Sequence, residues 1–299
     1  MNRTLVSTAN TVRPFFTLCA REYHLDLGKE TKIMGILNLS PDSFSGDGFL
    51  PQTQRDYAKL LKKAHRLIQQ GADLIDVGGE SSRPGSRRIS VVEEIRRVIP
   101  AVRLLTQTLK IPISVDTYKT EVARLALKAG ASLINTIKGT QLTLGLLQVV
   151  KSYGAGIILM HMRGTPRTMQ NHILSKNIIR EIKASLKKSI EICLESGINS
   201  DRIIIDPGIG FGKTPEQNLE IIHHLAAFRD LNQPILIGTS RKSFIGQILH
   251  KDVDERLMGT ATTVCASIVN GAHIVRVHDV GAMHDVVRMS DALLNLNPA

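Results

Sequence analysis

The sequence predicts an α/β protein with the fold of a (β/α)8 TIM barrel, a single domain preceded by a short N-terminal extension. Three observations favour this fold. Eight short runs of Ile, Val and Leu recur from Ile33 onward, and uninterrupted apolar runs are typical of parallel strands buried on both faces. Segments with the apolar spacing of amphipathic helices separate these runs. The 299 residues show no break in composition, and one barrel of roughly 250 residues accounts for most of this length.

The strands are predicted in chain order as Ile33–Leu37, Leu74–Val77, Ile113–Val115, Leu133–Ile137, Ile157–Met160, Ile203–Ile205, Ile235–Ile237 and Ile274–Val277. Apolar periodicity, closing glycines and the N-cap candidates Thr117 and Thr214 predict the helices between them. These helices are Arg55–Gln70, Thr117–Lys128, Ser175–Glu195, Pro215–Phe228 and Glu255–Asn270. An open, doubly wound sheet is the alternative fold, but it seldom contains eight regular units.

Residues 1–30 are expected to form an N-terminal extension with a strand or two, and residues 31–299 to form the barrel. Three arginines and no acidic residue occur in residues 1–21. This composition also resembles that of an organelle transit peptide, which is the alternative interpretation of the segment.

Overall composition excludes several classes of protein. An apolar fraction of 42% is enough for a full core and excludes global disorder. No apolar run approaches the roughly 20 residues that span a bilayer, so we expect no membrane partner. The cysteines, Cys19, Cys193 and Cys265, stand far apart, which excludes a disulfide framework and indicates a reducing compartment such as the cytoplasm.

The net charge of +11 leaves nucleic-acid binding open as an alternative. The chain has four tyrosines, seven phenylalanines and no tryptophan, and basic and aromatic residues do not alternate, so base-stacking surfaces are poorly supported. Solvated helix faces and a few arginines for an anionic small molecule explain the charge better. We therefore expect no nucleic-acid partner.

Polar residues end nearly every predicted strand. Because the strands of such a barrel are parallel, their carboxyl ends meet on one face, where barrel enzymes place their active sites. The carboxylates of Asp116 and Asp206 accept hydrogen bonds from N–H groups, and the amide of Asn135 both donates and accepts. Positive charge for an anionic group comes from Arg83, Lys242, Arg276 and His278. The pattern predicts a pocket for a flat nitrogen heterocycle joined to an anion.

Seven stretches of the chain have the form of sequence motifs. In order they are GILNLSPDSF (Gly35–Phe44), DVGGESSRPG (Asp76–Gly85), SVDTYKTEVA (Ser114–Ala123), LMHMRGTPRTMQ (Leu159–Gln170), DPGIGFGK (Asp206–Lys213), SRKSFIG (Ser240–Gly246) and RVHDV (Arg276–Val280). Together they resemble the motifs of the dihydropteroate synthases, a family of pterin-binding TIM barrels, and the resemblance covers the chain from about Lys32 to the end. Their combination is highly specific, whereas any one of them alone is a weak signal.

The resemblance implies an activity, a metal and an assembly. Dihydropteroate synthases join 6-hydroxymethyl-7,8-dihydropterin diphosphate to 4-aminobenzoate and release pyrophosphate, with Mg2+ as the cofactor. By resemblance, we expect this chain to catalyse that step of folate biosynthesis in the cytoplasm as a homodimer. The electron-rich pterin stabilises a developing methylene cation, so the reaction needs no strong general base. This agrees with the lack of a Ser–His–Asp or Cys–His arrangement in the sequence.

The resemblance also assigns roles to residues of this chain. The pterin is expected to contact Asp116, Asn135, Met160, Asp206, Phe211 and Lys242, with its 2-amino and N3–H edge at Asp206. Arg276 and His278 are expected to face the diphosphate, and Asn38 to be the protein ligand of Mg2+. The aminobenzoate site is expected to contain Asp42, Phe44, Ser82, Arg83, Lys242 and Ser243. The expected catalytic residues are Asp206, Lys242, Arg276 and His278.

The chain departs from the family pattern at four places. Thr136 replaces the acidic residue of the usual Ile-Asn-Asp motif, and Asp47 is displaced by one position. Ser82 replaces a threonine, and Arg163 stands where glutamine is common. Two alternatives stay open: a pterin-binding methyltransferase, which needs a corrinoid or thiol acceptor, and a non-catalytic paralogue, for which Thr136 is the hint.

Overall fold

The structure is a computed structural model that describes residues 13–39, 50–81, 86, 88–164 and 177–295. These residues form a barrel of eight parallel strands in which neighbours along the chain are neighbours in space. The strands are β3 (Lys32–Asn38), β4 (Leu74–Gly78), β5 (Ile113–Asp116), β6 (Leu133–Thr136), β7 (Gly156–Met160), β8 (Ile203–Asp206), β9 (Leu236–Ile237) and β10 (Ile274–Val277). The ring closes where β10 pairs with β3 and where Ile205 bridges to Ile235. The predicted (β/α)8 barrel is confirmed.

Helices cover the outside of the barrel. Within the described ranges they are α1 (Gln54–Gln69), α2 (Val91–Thr108), α3 (Thr120–Lys128), α4 (Leu144–Tyr153), α5 (Ile178–Glu195), α6 (Pro215–His223), α7 (Ser243–Leu249), α8 (Leu257–Val269) and α9 (Val280–Leu294). The predicted helices correspond to α1, α3, α5, α6 and α8, and α6 ends earlier than predicted because a 3-10 turn, Leu225–Leu231, follows it. None of these helices has both the length and the apolar character that crossing a membrane requires.

The two N-cap candidates have different outcomes. Thr214 caps α6 as predicted: its hydroxyl accepts the N–H of Gln217 at 3.1 Å, and Pro215 occupies the first turn. Thr117 lies three residues before the first residue of α3, so its predicted capping role is wrong. Its N–H donates instead to the carbonyl of Asn135 at 2.9 Å, which extends the pairing of β5 with β6 beyond the end of the strand.

An antiparallel hairpin precedes the barrel. Its strands are β1 (Phe16–Ala20) and β2 (Tyr23–Leu27). The buried side chains of Leu18, Ala20 and Leu27 pack against residues near the amino ends of the barrel strands. The strands expected in the N-terminal extension are therefore present, and they cover the amino-terminal end of the barrel. The domain boundary at residue 30 stays a prediction.

On four strands, β4, β6, β8 and β10, the barrel interior changes from apolar to polar within two residues, since side chains two positions apart face the same side. A lower ring is apolar and buried, and consists of Met34, Leu74, Leu133, Ile158, Ile204, Leu236 and Ile274. Two positions further along the same strands lies an upper ring, Ile36, Asp76, Asn135, Met160, Asp206, Gly238 and Arg276. This step places polar groups above an apolar floor, toward the carboxyl-terminal mouth of the barrel.

Candidate active site

A fully buried carboxylate joins two side chains of the upper ring. Oδ2 of Asp76 accepts a hydrogen bond from Nε of Arg276 at 2.7 Å and another from Nδ2 of Asn135 at 3.1 Å. A terminal nitrogen of Arg276 also lies 3.5 Å from Oδ2 of Asp116. Strands β4, β5, β6 and β10 thus bring two carboxylates, one amide and one guanidinium together inside the barrel.

These charges shift the pKa values of the cluster. Burial raises the pKa of Asp116 to about 7, and the nearby carboxylate of Asp76 adds to the increase while Arg276 opposes it. Burial lowers the pKa of Arg276, but the charges of Asp76 and Asp116 outweigh this effect and raise it above its ordinary value. The site therefore contains a permanent positive charge and a carboxyl group that exchanges its proton near neutral pH.

Asp206 ends β8, and its Oδ1 accepts the N–H of Gly208 at 2.7 Å. Gly208 has a φ of +72°, and a Cβ there would lie 1.9 Å from the carbonyl oxygen of His161, so the turn requires glycine. Burial raises the pKa of Asp206, and Lys242, the Gly208 N–H and Lys213 partly offset this increase. The turn therefore brings a backbone donor to the carboxylate, and the charges of Lys213 and Lys242 act on it.

Lys213 is buried behind this turn. Its ammonium group donates to the carbonyls of Gly208 at 2.8 Å and of Phe211 at 3.0 Å, and it lies 3.2 Å from Nδ1 of His161. Burial lowers the pKa of Lys213 to about 7. His161 is 3% exposed and is a packed, hydrogen-bonded residue, as its lone position at a strand end predicts. Lys213 therefore holds the backbone of the turn that presents Asp206.

Apolar side chains line one wall of the site. Met160 is buried and belongs to a small apolar cluster in which Phe211 and Tyr118 are partly buried. The ammonium group of Lys242 lies 4.7 Å from the centre of the Phe211 ring and donates to the carbonyl of Ile209. Burial lowers the pKa of Lys242 to about 8. A flat, polar ring can therefore pack on this wall while its edge meets Asp206.

His278 lies just beyond the end of β10 and is oriented by a hydroxyl group. Its Nδ1 is 2.9 Å from Oγ of Ser240, which also accepts the backbone N–H of His278 at 3.2 Å. The neighbouring Arg241 pairs with Asp279, with 2.8 Å between its Nε and Oδ2. Ser240 therefore fixes the orientation of the His278 ring.

Most of the predicted site residues lie at the carboxyl-terminal mouth of the barrel. They are Asn38, Asp116, Asn135, Met160, Asp206, Phe211, Lys242, Arg276 and His278. Ser243 is exposed and begins α7. Asp42, Phe44, Ser82 and Arg83 lie outside the described residues. The ligand roles assigned to all of these residues stay predictions.

Two departures from the family pattern lie on described residues. Thr136 directly follows Asn135 in β6, so its side chain faces the opposite side of the strand from the pocket. It is fully buried, and its hydroxyl accepts the N–H of Lys138 at 3.3 Å. Arg163 forms an ion pair with Glu181 at 2.6 Å. Neither side chain is therefore part of the upper ring.

Sequence reasoning assigned no role to Asp76, Lys213 or Ser240, although each lies in one of the motifs quoted above. The signal for Asp76 was available, since it is an ionisable residue inside an apolar strand, two positions before the final residue Gly78. Lys213 and Ser240 carry no such periodicity, because both follow a strand in an irregular turn. Only the folded turns show what they contact.

Oxygen donors near the mouth fit a hard divalent cation. The position that a Cβ would take on Gly78 lies 3.8 Å from Oδ1 of Asn38 and 3.9 Å from Oδ2 of Asp116, so glycine leaves space between two oxygens. Within the described residues, no group of three or more His, Cys, Asp or Glu side chains could hold a metal. Mg2+ is commonly held by one or two protein oxygens together with substrate phosphates. The residues therefore fit Mg2+ that binds together with a phosphate group.

Comparisons with known proteins agree with this geometry. The pterin binding enzyme family matches residues 34–278. The dihydropteroate synthase of Synechocystis sp. is 45% identical over 269 residues, which are 90% of this chain and 92% of the relative. The crystal structure of Yersinia pestis dihydropteroate synthase with a sulfonamide drug complex superposes with a TM-score of 0.88 and 37% identity, over 93% of this chain and 99% of that chain. The structure of Xanthomonas albilineans dihydropteroate synthase with 4-aminobenzoic acid superposes with a TM-score of 0.85 and 34% identity. The superposition covers 95% of this chain and 100% of that chain. This chain therefore belongs to the pterin binding enzymes and, among them, to the dihydropteroate synthase family.

Proposed function

We propose that this chain joins 6-hydroxymethyl-7,8-dihydropterin diphosphate to 4-aminobenzoate, and forms 7,8-dihydropteroate and pyrophosphate in folate biosynthesis. The observation that carries the proposal is the upper ring, where Asn135 and Asp206 share one depth with the cationic Arg276. Hydrogen-bonding groups for a heterocycle thus lie beside charge for a phosphate. The Xanthomonas albilineans relative that was solved with 4-aminobenzoic acid supports the second substrate.

The pterin ring is bound by complementary hydrogen bonds and by packing. Asp206 accepts hydrogen bonds from the 2-amino and N3–H edge, because a carboxylate there presents acceptors to two neighbouring donors. Asp116 and Asn135 contact the rest of the ring, and the face of the ring packs on Met160 and Phe211. Lys242, which already lies over the Phe211 ring, donates to the pterin edge.

The chemical step requires charge neutralisation. The C–O bond between the pterin methylene and the diphosphate breaks, and the electron pair leaves with the diphosphate. The aniline nitrogen of 4-aminobenzoate then forms the new C–N bond and loses its proton to water. Arg276 and His278 stabilise the charge that develops on the leaving group. The residues Asp42, Phe44, Ser82, Arg83 and Ser243 are proposed to bind 4-aminobenzoate with Lys242.

We also propose Mg2+ as the cofactor, with Asn38 as its protein ligand. Asn38 would hold the cation together with the substrate, and the cation would supply further positive charge to the leaving diphosphate. The oxygen atoms on either side of Gly78 support this assignment. Titration of pyrophosphate with and without Mg2+ tests it: Mg2+ is expected to increase the affinity in the unmodified chain and to have less effect in Asn38→Ala.

The decisive experiment measures pyrophosphate release with a coupled assay. We expect release only when the pterin diphosphate and 4-aminobenzoate are both present, and we expect it to fall when Mg2+ is chelated. Release that does not depend on 4-aminobenzoate would contradict the proposal. A chain that binds pterin but releases no pyrophosphate would favour the non-catalytic alternative, and methyl transfer to a corrinoid would favour the methyltransferase.

The structure also supports the proposed homodimer. More than half of the exposed large apolar side chains among the described residues lie on three consecutive helices. They are Ile248 and Leu249 of α7, Leu257, Met258 and Val269 of α8, and Met289 and Leu293 of α9. Met258 is 74% exposed and shares a helical stripe with Thr262, Cys265 and Val269. Exposed apolar side chains concentrated on neighbouring helices are typical of subunit interfaces, and a second copy of this chain is proposed to cover them.

Sedimentation equilibrium tests this assembly. We expect the unmodified chain to sediment with twice the mass of one chain, and Met258→Asp to shift it toward the monomer. Val92→Asp is the matched control, because Val92 is also 74% exposed but lies on α2. Dissociation by both substitutions, or by neither, would place the interface elsewhere.

We propose that the chain acts in the cytoplasm. Cys19, Cys193 and Cys265 are all free thiols in the structure, which suits a reducing compartment. Fractionation of cells that express the tagged chain tests this location.

A further inference from the structure

Asp76 lies at the centre of β4, and its side chain has no exposed surface. A carboxylate at this depth is costly unless donors and cations compensate for its lost hydration. Its Oδ2 has two such donors, Arg276 and Asn135, whereas among the described residues none donates to Oδ1. A buried ion pair contributes little net stability. The position of the Asp76–Arg276 pair beside the candidate site therefore points to a role in function.

The two donors come from opposite directions in the barrel. β4 pairs with β3 and β5, so β6 and β10 are each one strand further away on either side. Asp76 therefore connects Asn135 of β6 with Arg276 of β10 across the interior. These are the residues proposed to bind the heterocycle and the diphosphate, so a single carboxylate joins the two halves of the substrate site.

This contact determines which group Asn135 presents to a ligand. An amide can be placed in either of two orientations, but the Asp76 oxygen is an acceptor, and only the NH2 group of the amide can donate to it. The Oδ1 atom of Asn135 therefore points away from Asp76. A heterocycle that presents an N–H group to Asn135 can donate a hydrogen bond to Oδ1. A heterocycle that presents an acceptor there is disfavoured, because Oδ1 is itself an acceptor.

The same contact directs Arg276. Its Nε donates to Asp76 at 2.7 Å, so the plane of the guanidinium is set by a residue of the barrel wall. One terminal nitrogen then lies 3.5 Å from Asp116. A guanidinium held at Nε presents its terminal nitrogens in a fixed direction, and this is the geometry that recognition of a phosphate group requires.

We propose that Asp76 is a positioning residue, which fixes the acceptor orientation of Asn135 and the direction of Arg276 and thereby selects the hydrogen-bonding pattern of the heterocycle. The inference rests on the proposed function and deepens it. Asp76 does not touch substrate, and it acts through Asn135 and Arg276.

Asp76→Asn tests the proposal, because the new amide keeps the volume of the side chain but loses its charge and can itself donate. Calorimetry with 6-hydroxymethyl-7,8-dihydropterin and, separately, with pyrophosphate measures the two halves of the site. We expect each affinity to fall by about tenfold or more, as for the loss of a hydrogen bond to a charged group. We also expect Asp76→Asn to change pterin affinity by less than about twofold in an Asn135→Ala background, because the residue then has no amide to orient.

Ser114→Ala is the matched control. Ser114 is paired in register with Asp76 on the adjacent strand and is equally buried, and among the described residues its hydroxyl has no hydrogen-bond partner. We expect this variant to keep both affinities within about twofold of the unmodified chain. If Asp76→Asn does not fold, Asp76→Glu takes its place: it retains the charge but displaces the acceptor, and is expected to weaken both ligands.

Two results would overturn the inference: unchanged affinities in the folded Asp76 variant, or an equal loss of pterin affinity with and without Asn135. The pyrophosphate-release assay on the unmodified chain separates this inference from the proposed function. Turnover by the unmodified chain together with normal binding by the Asp76 variant refutes the positioning role alone. An absence of turnover refutes the proposed function, while the binding measurements still decide the role of Asp76.

Discussion

The ammonium nitrogen of Lys213 lies 3.2 Å from Nδ1 of His161, and both residues are buried, with exposed fractions of 4% for Lys213 and 3% for His161. A charged ammonium group only donates, so His161 accepts at Nδ1. Burial lowers the pKa of His161 to about 3, with a further contribution from the charge of Lys213, while burial lowers the pKa of Lys213 itself to about 7. Between these two values the pair carries a single positive charge, and that charge acts on Asp206.

The pair makes stability depend on pH. In the unfolded chain His161 takes up a proton near pH 6.5, whereas in the folded chain it does so only near pH 3. Stability is therefore lost as the pH falls from about 6.5 to 3, by at most about 1.4 kcal/mol per pH unit for this group. Chemical denaturation across this range measures the slope. His161→Gln is expected to reduce it, and His284→Gln, at a more exposed position, to leave it unchanged; an identical slope in both variants would contradict the assignment.

Asp206→Asn is expected to weaken pterin binding by about 100-fold. The amide places a donor against the N–H groups of the ring and removes the charge of the acceptor, which typically costs a few kcal/mol. Its Oδ1 can still accept the N–H of Gly208, so the turn is expected to keep its conformation. Calorimetry with the bare pterin measures the loss, and Asp285→Asn on the surface of α9 serves as the control. An unchanged affinity would reject Asp206 as the pterin ligand.

Pterin binding in the absence of Mg2+ is expected to weaken below about pH 7. Burial raises the pKa of Asp116 to about 7, so below this value its carboxyl group is protonated and presents one acceptor fewer. The ionised form, which is proposed to bind the ring N–H groups, predominates above about pH 7. Titrations between pH 5 and 8 measure the slope, and Asp116→Asn is expected to reduce it. A flat profile for the unmodified chain would show that Asp116 does not bind the pterin.

Arg276→Gln is expected to separate the two parts of the first substrate. The amide of glutamine can still donate to Asp76, but the positive charge is lost. Affinity for the pterin diphosphate should therefore fall by about tenfold or more, while affinity for the bare pterin falls much less. Competition binding with both ligands measures the difference. Equal losses would show that Arg276 supports the structure of the pocket and does not bind the diphosphate.

Periodicity explains why the fold and the floor of the site were predictable. Strands buried on both faces favour apolar residues at most positions, and the chain shows eight such runs. The parallel arrangement then brings the strand ends together, which is how Asp116, Asn135 and Asp206 were found. The apolar runs do not show which residues lie at the same depth in the barrel. Asn135 is the third residue of β6, whereas Asp206 is the fourth residue of β8. Depth follows from the stagger between strands.

Other features depend on contacts that no local pattern contains. Thr117 is a residue type that favours the N-cap, but its N–H donates to the carbonyl of Asn135 on the adjacent strand, so it continues the β pairing and α3 begins only at Thr120. Asp76 is visible in the sequence as a charge inside an apolar strand, but no local pattern shows which side chains it contacts. Its importance follows from Arg276, which is 200 residues away along the chain.

The hairpin of β1 and β2 covers the amino-terminal end of the barrel, above which the lower ring forms an apolar floor from seven of the eight strands. The described interior is therefore open at one end only, and ligands enter and leave it in a fixed order. Whatever reaches the depth of Asn135 and Asp206 enters before the molecule that settles above it, and it leaves afterwards. A product that joins both substrates must therefore leave by the same mouth through which the substrates entered.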